Sequence, residues 1–454
     1  MTSMRLDLSP PRALSASDVD PLERILMLVP HDPREDPRIA WVTQICRSVA
    51  RTEVVSAVWS DTGRAVEYDG VVSVERANIW EVSSTRARAA ATFFGGASIL
   101  GAAGRYRSRE GKRPARRGLA QLDHHIGAVA RSASAATYGN LIVSALRRQA
   151  RAVSVPPRVI ICHDIYALLA ASALKRQFGC PIIYDSHELW PQADLMAADW
   201  EEGLMTRLER RAIRHADAVI TVSPPLGEHL ESLYGLEHVV IVPNAEPFDP
   251  AIVPSPDRSP EEPVRFLLQG RVAAGRGIDV LLAAWADLER EDAVLELRCP
   301  EDPYLSFLRE TFAAPIRAGR VVMRQPVSEP ELVRAAATAD VGIIPYVGPS
   351  LNHIYACPNK LSQYMHAGLA ILANDLAFVG DVVRRYECGV LYDADRPETL
   401  HAAVQSLVED RDRLRVMKQN AYLAASGEFN WEVQSRPYRL LLESLLLRKA
   451  PAGG

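Results

Sequence analysis

The sequence predicts an α/β protein built on two doubly wound parallel sheets, and three observations lead to this prediction. Short apolar runs recur along the chain, helical patterns separate them, and the proline-rich segment 242–263 divides the series in two. Continuous apolar runs are typical of strands that are buried on both faces of a parallel sheet. Strands that alternate with helices require right-handed crossovers, so each half should form its own sheet.

The first half contains six apolar or β-branched runs that we expect to be strands. They occupy residues 25–29, 54–58, 159–162, 182–184, 218–222 and 239–242. Two helical patterns lie among the later runs, at residues 165–178 and 204–215. The first of these ends at Gly179, and a glycine just beyond the last periodic residue is a typical helix end.

The same pattern restarts after the proline-rich segment. Six further runs that we expect to be strands occupy residues 265–269, 295–297, 321–323, 341–344, 370–372 and 389–391. The segment between the halves holds seven prolines, a composition that forms a semi-rigid connector rather than a packed element. We therefore expect an N-terminal domain at residues 1–245 and a C-terminal domain at residues 246–428.

Charge and cysteine content exclude several classes of function. Lys and Arg total 52 against 56 Asp and Glu, a net charge of −4, whereas a dedicated nucleic-acid binder is normally strongly basic. The six cysteines form no CxxC pair, which fits neither a zinc site nor a small disulfide-rich fold. The N-terminal segment has no apolar core, and the longest stretch without Asp, Glu, Lys or Arg, residues 341–359, contains three prolines. We expect a cytoplasmic protein that binds no nucleic acid and does not span a membrane.

A glycine turn at the start of the second half predicts a diphosphate site. The strand pattern ends at Gly270, and Arg271, Arg276 and Gly277 follow before a helical pattern begins. Two guanidinium groups and the backbone N–H groups of a helix start suit contact with phosphate oxygens. The alternative is a pair of solvent-exposed arginines on a loop.

A second motif points to the same ligand. Pro358, Asn359 and Lys360 precede a helical stretch that ends at Gly368. Proline at the start and glycine beyond the end is the asymmetry expected of a helix. The dipole of that helix would favour a diphosphate at its N-terminus.

Together, these two motifs resemble the donor site of retaining GT-B glycosyltransferases of family 4, and the second resembles a Pro-Asn-Lys subgroup of that family. The resemblance rests on Gly270-Arg271-x₄-Arg276-Gly277 and Pro358-Asn359-Lys360-Leu361-x₂-Tyr364-Met365-x-Ala367-Gly368. Further short motifs fall in the family's order along most of the chain: His163-Asp164, the run from Tyr184 to Pro191, Thr221-Val222-Ser223, Val242-Pro243-Asn244, the run from Ala339 to Gly342, and Asn430-Trp431-Glu432.

The resemblance implies a GT-B fold, in which two Rossmann-like domains face each other across a cleft and a helix in residues 429–454 crosses back to the first domain. It implies transfer of a sugar from a nucleotide-diphosphate sugar to a glycan or lipid-linked acceptor, as in polysaccharide biosynthesis, with retention of the anomeric configuration. No metal and no other cofactor is expected. The catalytic residues that it implies are His163, which faces the donor sugar, and Arg271 and Arg276, which stabilise the leaving diphosphate. The implied donor-binding residues are Gly270, Tyr355, Pro358, Asn359, Lys360 and Gln363.

Two positions depart from the family's pattern. Many members carry a Glu-x₇-Glu signature whose second Glu holds the ribose of the donor, and counting back from Gly368 places Tyr355 and Gln363 at these positions. A glutamine side chain hydrogen-bonds to hydroxyl groups but lacks the charge of Glu, so we expect a weaker hold on the nucleotide.

The first half supplies candidates for contact with the acceptor. Each follows an apolar run, and carboxylates at such a strand end are placed to orient an acceptor hydroxyl group. The candidates are His31, Asp32, Asp164, His187 and Glu188. The alternatives are a capped turn at His31-Asp32 and a helix cap at Asp185 or Ser186.

Residues 85–150 form an insertion without a recognisable counterpart in the family. The apolar segment 89–104 is followed by seven positive charges against one negative charge. The positive residues are Arg105, Arg107, Arg109, Lys112, Arg113, Arg116 and Arg117. One interpretation is docking of anionic lipid headgroups at the inner face of the membrane or of a phosphorylated acceptor, and the other is a surface loop with solvated arginines.

Two other functions are compatible with such a fold. A catalytically silent homologue would bind the donor without turnover, and a nucleotide-sugar epimerase would abstract a proton from carbon. The epimerase requires several carboxylates, and Tyr355 and Gln363 stand where acids would serve. These two positions therefore disfavour the epimerase and favour the silent homologue.

Overall fold

The computed structural model describes residues 24–58, 65–68, 72–82, 85, 139–152, 155–192, 199–273, 275–288 and 290–447. The chain divides into two compact units. The first comprises Met1–Thr221, Leu230–Val240 and Tyr438–Gly454, and the second comprises Val222–His229 and Ile241–Pro437. Each unit contains a parallel sheet with connecting helices, so the predicted α/β class with two doubly wound sheets is confirmed.

The first unit is built on an eight-stranded sheet in the order β3-β4-β2-β1-β5-β6-β7-β8. Its strands are β1 (Arg24–Val29), β2 (Arg51–Val58), β3 (Ala65–Tyr68), β4 (Val72–Asn78), β5 (Val159–His163), β6 (Ile182–Ser186), β7 (Ala218–Thr221) and β8 (Val240–Ile241). Only β3 is antiparallel to its neighbour among the paired strands of the described residues. The chain order reverses between β1 and β5, and ligands bind beside the carboxyl ends of strands at such a switch point.

The helices that connect these strands are α1 (Pro37–Arg47), α2 (Ile79–Val82), α3 (139–150), α4 (Asp164–Phe178), α5 (Asp199–Ile213) and α6 (Pro224–Tyr234). A short 3-10 turn, Pro33–Glu35, precedes α1. Helix α1 begins where the Asp36 side chain accepts a hydrogen bond from the Arg38 backbone N–H, with Pro37 in the first turn. Gly179, with a φ of 66°, ends α4 as predicted.

The second unit is built on a six-stranded sheet in the order β11-β10-β9-β12-β13-β14. Its strands, all parallel, are β9 (Val264–Gln269), β10 (Ala293–Arg298), β11 (Val321–Arg324), β12 (Val341–Ile344), β13 (Ala370–Asn374) and β14 (Gly389–Tyr392). The chain order reverses between β9 and β12, which gives this sheet its own switch point.

The remaining helices are α7 (Ile278–Asp287), α8 (Pro303–Thr311), α9 (Ala313–Arg317), α10 (Leu332–Ala336), α11 (Leu351–Tyr355), α12 (Asn359–His366), α13 (Ala377–Arg385), α14 (Pro397–Glu409), α15 (Arg411–Gly427), α16 (Trp431–Gln434) and α17 (Arg436–Leu447). Phe266 of β9 and Trp285 of α7 meet edge to face in the buried core of this unit, with ring centroids 5.1 Å apart. From Tyr438 onward, α17 belongs to the first unit, where the Arg158 guanidinium donates to the Leu446 carbonyl at 3.0 Å.

Two features of the fold differ from the expectation. The sequence patterns did not indicate β3 and β4, because charged residues interrupt the apolar run in each of these strands at one side of the sheet. The single helix expected within residues 429–454 is two helices, α16 and α17, which are separated at Ser435. Pro437 lacks a backbone N–H and disfavours helical continuation just before it, which accounts for the break.

The basic run from Arg105 to Arg117 and the apolar segment before it lie outside the described residues. Among the helices that the structure does describe, none has the length and apolar character that a membrane span requires.

Candidate active site

Polar side chains converge at the switch point of the first sheet. His31 follows β1, His163 ends β5, and His187 follows β6. Because β1, β5 and β6 are neighbours and run parallel, their carboxyl ends meet at one edge of the sheet. The structure therefore brings these three predicted histidines together, from positions far apart in the sequence.

A buried ion pair anchors this cluster. The Arg38 guanidinium on α1 donates two hydrogen bonds to the Asp185 carboxylate on β6, at 2.9 Å and 3.2 Å. Both side chains are essentially inaccessible to solvent. Although burial disfavours the charge of Asp185, the Arg38 guanidinium holds the pKa of this carboxyl well below its usual range. Asp185 is thus not the helix cap that was considered from the sequence.

The two histidines beside Asp185, the buried His163 and the partly exposed His187, have opposite charge preferences. His163 Nδ1 and His187 Nε2 lie 3.1 Å apart, and both rings approach the Asp185 carboxylate. Burial lowers the pKa of His163 to about 3, so this ring is neutral. Burial opposes the charge of His187 as well, but the Asp185 carboxylate outweighs it and raises the pKa of His187 to about 9. At neutral pH, His187 is therefore the protonated ring and His163 is the neutral one.

His31 is the member of this cluster with the most exposed side chain, at 34%. Its Nε2 lies 3.4 Å from Asp36 Oδ2, and its Nδ1 lies 4.0 Å from Asp164 Oδ2. Burial disfavours the protonated ring, yet the contact with Asp36 and the charge of Asp164 raise the pKa of His31 above its ordinary value. The neighbouring Asp32 instead pairs with Arg34 and caps the 3-10 turn, as the capped-turn alternative described.

Asp164 and Glu188 occupy different surroundings. Asp164 is buried, adopts a φ of 63°, and accepts a hydrogen bond from Trp190 Nε1 at 2.9 Å. A left-handed φ is uncommon for a residue other than glycine and concentrates at functional sites. Glu188 is exposed and lies next to His187 in the sequence.

The ligand atoms of His163, Asp185 and His187 lie within 4.8 Å of one another, a spacing that suits a metal ion. However, Asp185 already receives two hydrogen bonds from Arg38, and the guanidinium charge opposes a second cation beside the same carboxylate. The donor set therefore fits a metal poorly, and we do not assign these residues as ligands.

The second site forms at the switch point of the second sheet. Gly270 follows β9 with a φ of 90°, and a Cβ at this position would lie 3.3 Å from Lys360 Nζ. Gly277 precedes α7 with a φ of 76°, and a Cβ there would lie 2.0 Å from the Pro345 carbonyl oxygen. Both turns require glycine, and they bring the loop backbone against the residues that follow β12 and begin α12.

Two cations converge on one aromatic ring in this loop. The Arg276 guanidinium lies 5.7 Å from the centroid of the Tyr346 ring, and Lys360 Nζ lies 5.9 Å from the same centroid. Arg271 is exposed on the same loop. The structure thus brings together Arg276, Lys360 and the glycine turn. Tyr346 had no signal in the sequence because it is one of several aromatic residues near strand ends.

Helix α12 presents its N-terminus at this position. The helix begins at Asn359, with Pro358 as the residue that caps it, and a buried Asn359 Oδ1 has no hydrogen-bond partner. The Gln269 backbone N–H donates to the Tyr364 hydroxyl at 3.0 Å, which ties α12 to the end of β9. The helix start and the glycine turn are therefore held at one place.

One turn further along α12, Gln363 lies beside the carboxyl groups of two glutamates, Glu246 and Glu329. Gln363 Nε2 donates to Glu329 Oε1 at 3.2 Å. Burial, reinforced by the charge of Glu329 and opposed by a hydrogen bond from Gln363, raises the pKa of Glu246 to about 8. The family pattern has an acid at position 363. Here the nearby acids are Glu246, in the segment after β8, and Glu329, at the start of the 3-10 turn Glu329–Glu331. The sequence reasoning missed both.

Tyr355 was predicted to bind the donor, but its described contacts are with residues of its own unit. Its carbonyl oxygen accepts a hydrogen bond from Ser223 Oγ at 2.6 Å, and its ring lies 5.8 Å from the ring of His229. Both contacts lie within the second unit.

Comparison with known proteins places these two sheets in a family. Residues 40–245 match the model of a glycosyl transferase 4-like domain, and residues 263–410 match the model of glycosyl transferases group 1. The sucrose-phosphate synthase of Thermosynechococcus elongatus superposes with a TM-score of 0.67 at 15% identity, over 93% of this chain and 99% of that chain. The chain belongs to the GT-B glycosyltransferases.

Other GT-B proteins extend the comparison. HepE of Anabaena, solved in complex with UDP and glucose, superposes with a TM-score of 0.59 at 13% identity, over 92% of this chain and 99% of that chain. The D-inositol 3-phosphate glycosyltransferase of Rhodococcus jostii (strain RHA1) is 25% identical over 313 residues, which cover 64% of this chain and 67% of that protein. The match thus spans about two thirds of the length of such relatives.

Proposed function

We propose that this GT-B protein is a retaining, metal-independent glycosyltransferase. It transfers a sugar from a nucleotide-diphosphate sugar to a glycan or lipid-linked acceptor, which makes it a candidate for polysaccharide biosynthesis. The observation that carries the proposal is the convergence of Arg276, Lys360 and the α12 N-terminus beside the Gly270 turn. Fixed positive groups at one point stabilise the charge that develops on a leaving diphosphate.

The second unit takes the donor in this proposal. Arg271 and Arg276 hold the diphosphate, and Lys360 adds a positive charge at the start of α12. Gln363, beside Glu329, occupies the position from which the family holds the ribose. Support for a nucleotide donor also comes from HepE, which was solved with UDP and glucose bound.

The first unit takes the acceptor and the transferred sugar. His163 is neutral and buried, so it offers hydrogen bonds without a charge that would compete with the diphosphate. His31, Asp164, His187 and Glu188 surround the acceptor hydroxyl group. Asp32 plays no direct part, because its carboxylate is engaged by Arg34.

The basic run from Arg105 to Arg117 gives the proposal a location. This run has seven positive charges and one negative charge, a balance that suits binding to an anionic membrane surface. We place that surface on the cytoplasmic side, where lipid-linked acceptors are glycosylated. Such binding is electrostatic, so adsorption to anionic vesicles should weaken with salt and disappear when residues 105–117 are deleted. Unchanged adsorption after the deletion would remove this part of the proposal.

The function is tested by release of nucleoside diphosphate from a panel of nucleotide sugars in the presence of an acceptor extract. We expect Arg276→Ala and Arg271→Ala each to lower turnover by about a hundredfold or more, as for other fixed groups that stabilise developing charge. The control is Arg317→Ala. Arg317 is exposed and lies at the end of α9, just before the amino-terminal end of β11, whereas the proposed diphosphate site lies at the carboxyl ends of the strands. Equal losses in all three variants, or none in the first two, would contradict the diphosphate assignment.

A catalytically silent homologue is the second candidate, and the replacement of the family's acids by Tyr355 and Gln363 favours it. This candidate predicts binding of a nucleoside diphosphate without release from any nucleotide sugar. Glu246 and Glu329 weigh against it, because they place carboxyl groups beside Gln363, where the helix itself carries no acid.

A further inference from the structure

Arg298 is a buried cation at the carboxyl end of β10, and the proposed function assigns no part to it. Only 8% of its surface is exposed. In the register of the sheet it lies between Gln269, the last residue of β9, and Arg324, the last residue of β11. The Gly270 backbone N–H donates to the Arg298 carbonyl at 2.9 Å, so the end of β10 is tied to the glycine turn of the proposed diphosphate site.

The charge of Arg298 is not closely paired. The Glu296 carboxylate on the same face of β10 is engaged by Arg324 at 2.6 Å and lies 3.9 Å from Arg265. Within the part of the chain that the structure describes, Arg298 makes no ion pair, and its side chain donates one hydrogen bond, to Gln269 Oε1 at 3.3 Å. Burial lowers the pKa of Arg298. Because a guanidinium group has five N–H donors, most of them remain for a ligand.

Gln269 fixes the position of this guanidinium group. Its Nε2 donates to the Leu332 carbonyl of α10 at 3.3 Å, while its Oε1 accepts the hydrogen bond from Arg298. Its backbone N–H donates to the Tyr364 hydroxyl of α12. Both ends of the Gln269 amide are therefore engaged, and Arg298 is held by a side chain that is itself held. Such preorganisation lowers the cost of binding a rigid ligand.

The order of the strands indicates the path of the nucleoside in the proposed donor complex. The diphosphate site lies at the Gly270 turn, after β9. Gln363, at the position from which the family holds the ribose, donates to Glu329 in the turn that follows β11. Since the strand order is β11-β10-β9, a nucleotide that extends from the first point towards the second crosses the end of β10, where Arg298 lies. Neighbouring strands are about 4.8 Å apart, so the crossing is about 10 Å, a span that suits a nucleoside.

We propose that Arg298 binds the nucleobase of the donor and selects guanine, so that the donor is a guanosine-diphosphate sugar. The inference rests on the proposed function and names the class of its donor. A guanidinium group presents two parallel N–H donors in one plane. Guanine matches them with two adjacent acceptors, O6 and N7. Adenine places an amino donor beside N7, and uracil offers the single acceptor O4 at the corresponding edge, so neither base accepts both hydrogen bonds.

The test is calorimetric titration of the full chain with guanosine diphosphate (GDP), UDP and 7-deaza-GDP, in which a C–H group replaces N7. We expect the wild type to bind GDP about tenfold or more tightly than either of the others, the discrimination typical of a bidentate arginine–guanine contact. Arg298→Met should bind all three with similar affinity, through weaker binding of GDP alone. Arg298→Lys keeps the charge without the planar fork, so it should also lose the distinction between GDP and 7-deaza-GDP.

The matched control is Arg265→Met, which removes an arginine from the same face of the sheet near the start of β9 and should keep the preference for GDP. The comparison of GDP with 7-deaza-GDP in the wild type needs no variant, so it stands even if Arg298→Met does not fold. Equal binding of these two ligands, UDP binding as tight as GDP binding, or a preference for GDP that survives in Arg298→Met would overturn the inference. A wild type that binds no nucleoside diphosphate would instead contradict the proposed function.

Discussion

Removal of the Arg38 side chain is the sharpest test of how the histidine cluster is built. Arg38→Met keeps the length of the side chain but leaves the Asp185 carboxylate buried without its cation. The side chains of Arg38 and Asp185 are 1% and 0% exposed and share two hydrogen bonds. Breaking such a buried pair from one side costs about 3–5 kcal/mol, a large part of the roughly 5–15 kcal/mol that stabilises a typical protein.

The assay is urea unfolding of the full chain, with hydrogen exchange at β5 and β6 to identify the transition of the first unit. The control is Arg24→Met, which breaks the more exposed pair with Glu53 on the same sheet and should cost about 1 kcal/mol or less. The deficit of Arg38→Met should shrink as pH falls, because the unpaired Asp185 takes up a proton more readily than in the wild type. A cost below about 1 kcal/mol at neutral pH would refute the role of this pair.

Two further predictions concern the second unit. Gly277→Ala should unfold at lower urea than Gly275→Ala, because both residues have a positive φ but only Gly277 would also place a Cβ 2.0 Å from the Pro345 carbonyl; equal midpoints would contradict the close approach. Glu246→Gln should flatten the dependence of stability on pH, measured by thermal unfolding. The folded pKa of Glu246, about 8, exceeds the value of about 4.3 for an unfolded Glu, so the wild type loses stability as pH rises between these values. A variant as pH-dependent as the wild type would contradict this shift.

The fold followed from the sequence where one physical signal dominated. Buried parallel strands such as β1, β5 and β13 are continuous apolar runs, so their identity needed no tertiary information. Strands β3 and β4 did not give that signal. Glu67 and Arg76 lie in these strands and pair with each other across them, which only the folded sheet makes favourable.

The same distinction applies to the site residues. Those with a local signal in the sequence were predicted, and those that meet only in the folded sheet were not. Gly270 and Pro358 have local backbone requirements that a motif records. Arg38 and Asp185 are 147 residues apart and meet only through the order of strands in the sheet. The one available signal for Asp36 was its position before Pro37, which predicts a helix cap and gives no indication of the two histidines beside it.

The central claim is the transfer of a sugar to an acceptor, and one NMR experiment tests it most directly. The purified protein is incubated with a ¹³C-labelled nucleotide sugar and an acceptor extract, and the labelled anomeric carbon is followed over time. We predict that the label moves to the acceptor with its original anomeric configuration, in equal amount to the nucleoside diphosphate released. Donor that stays bound and unchanged, or label that reappears in an epimer of the nucleotide sugar, would contradict the claim.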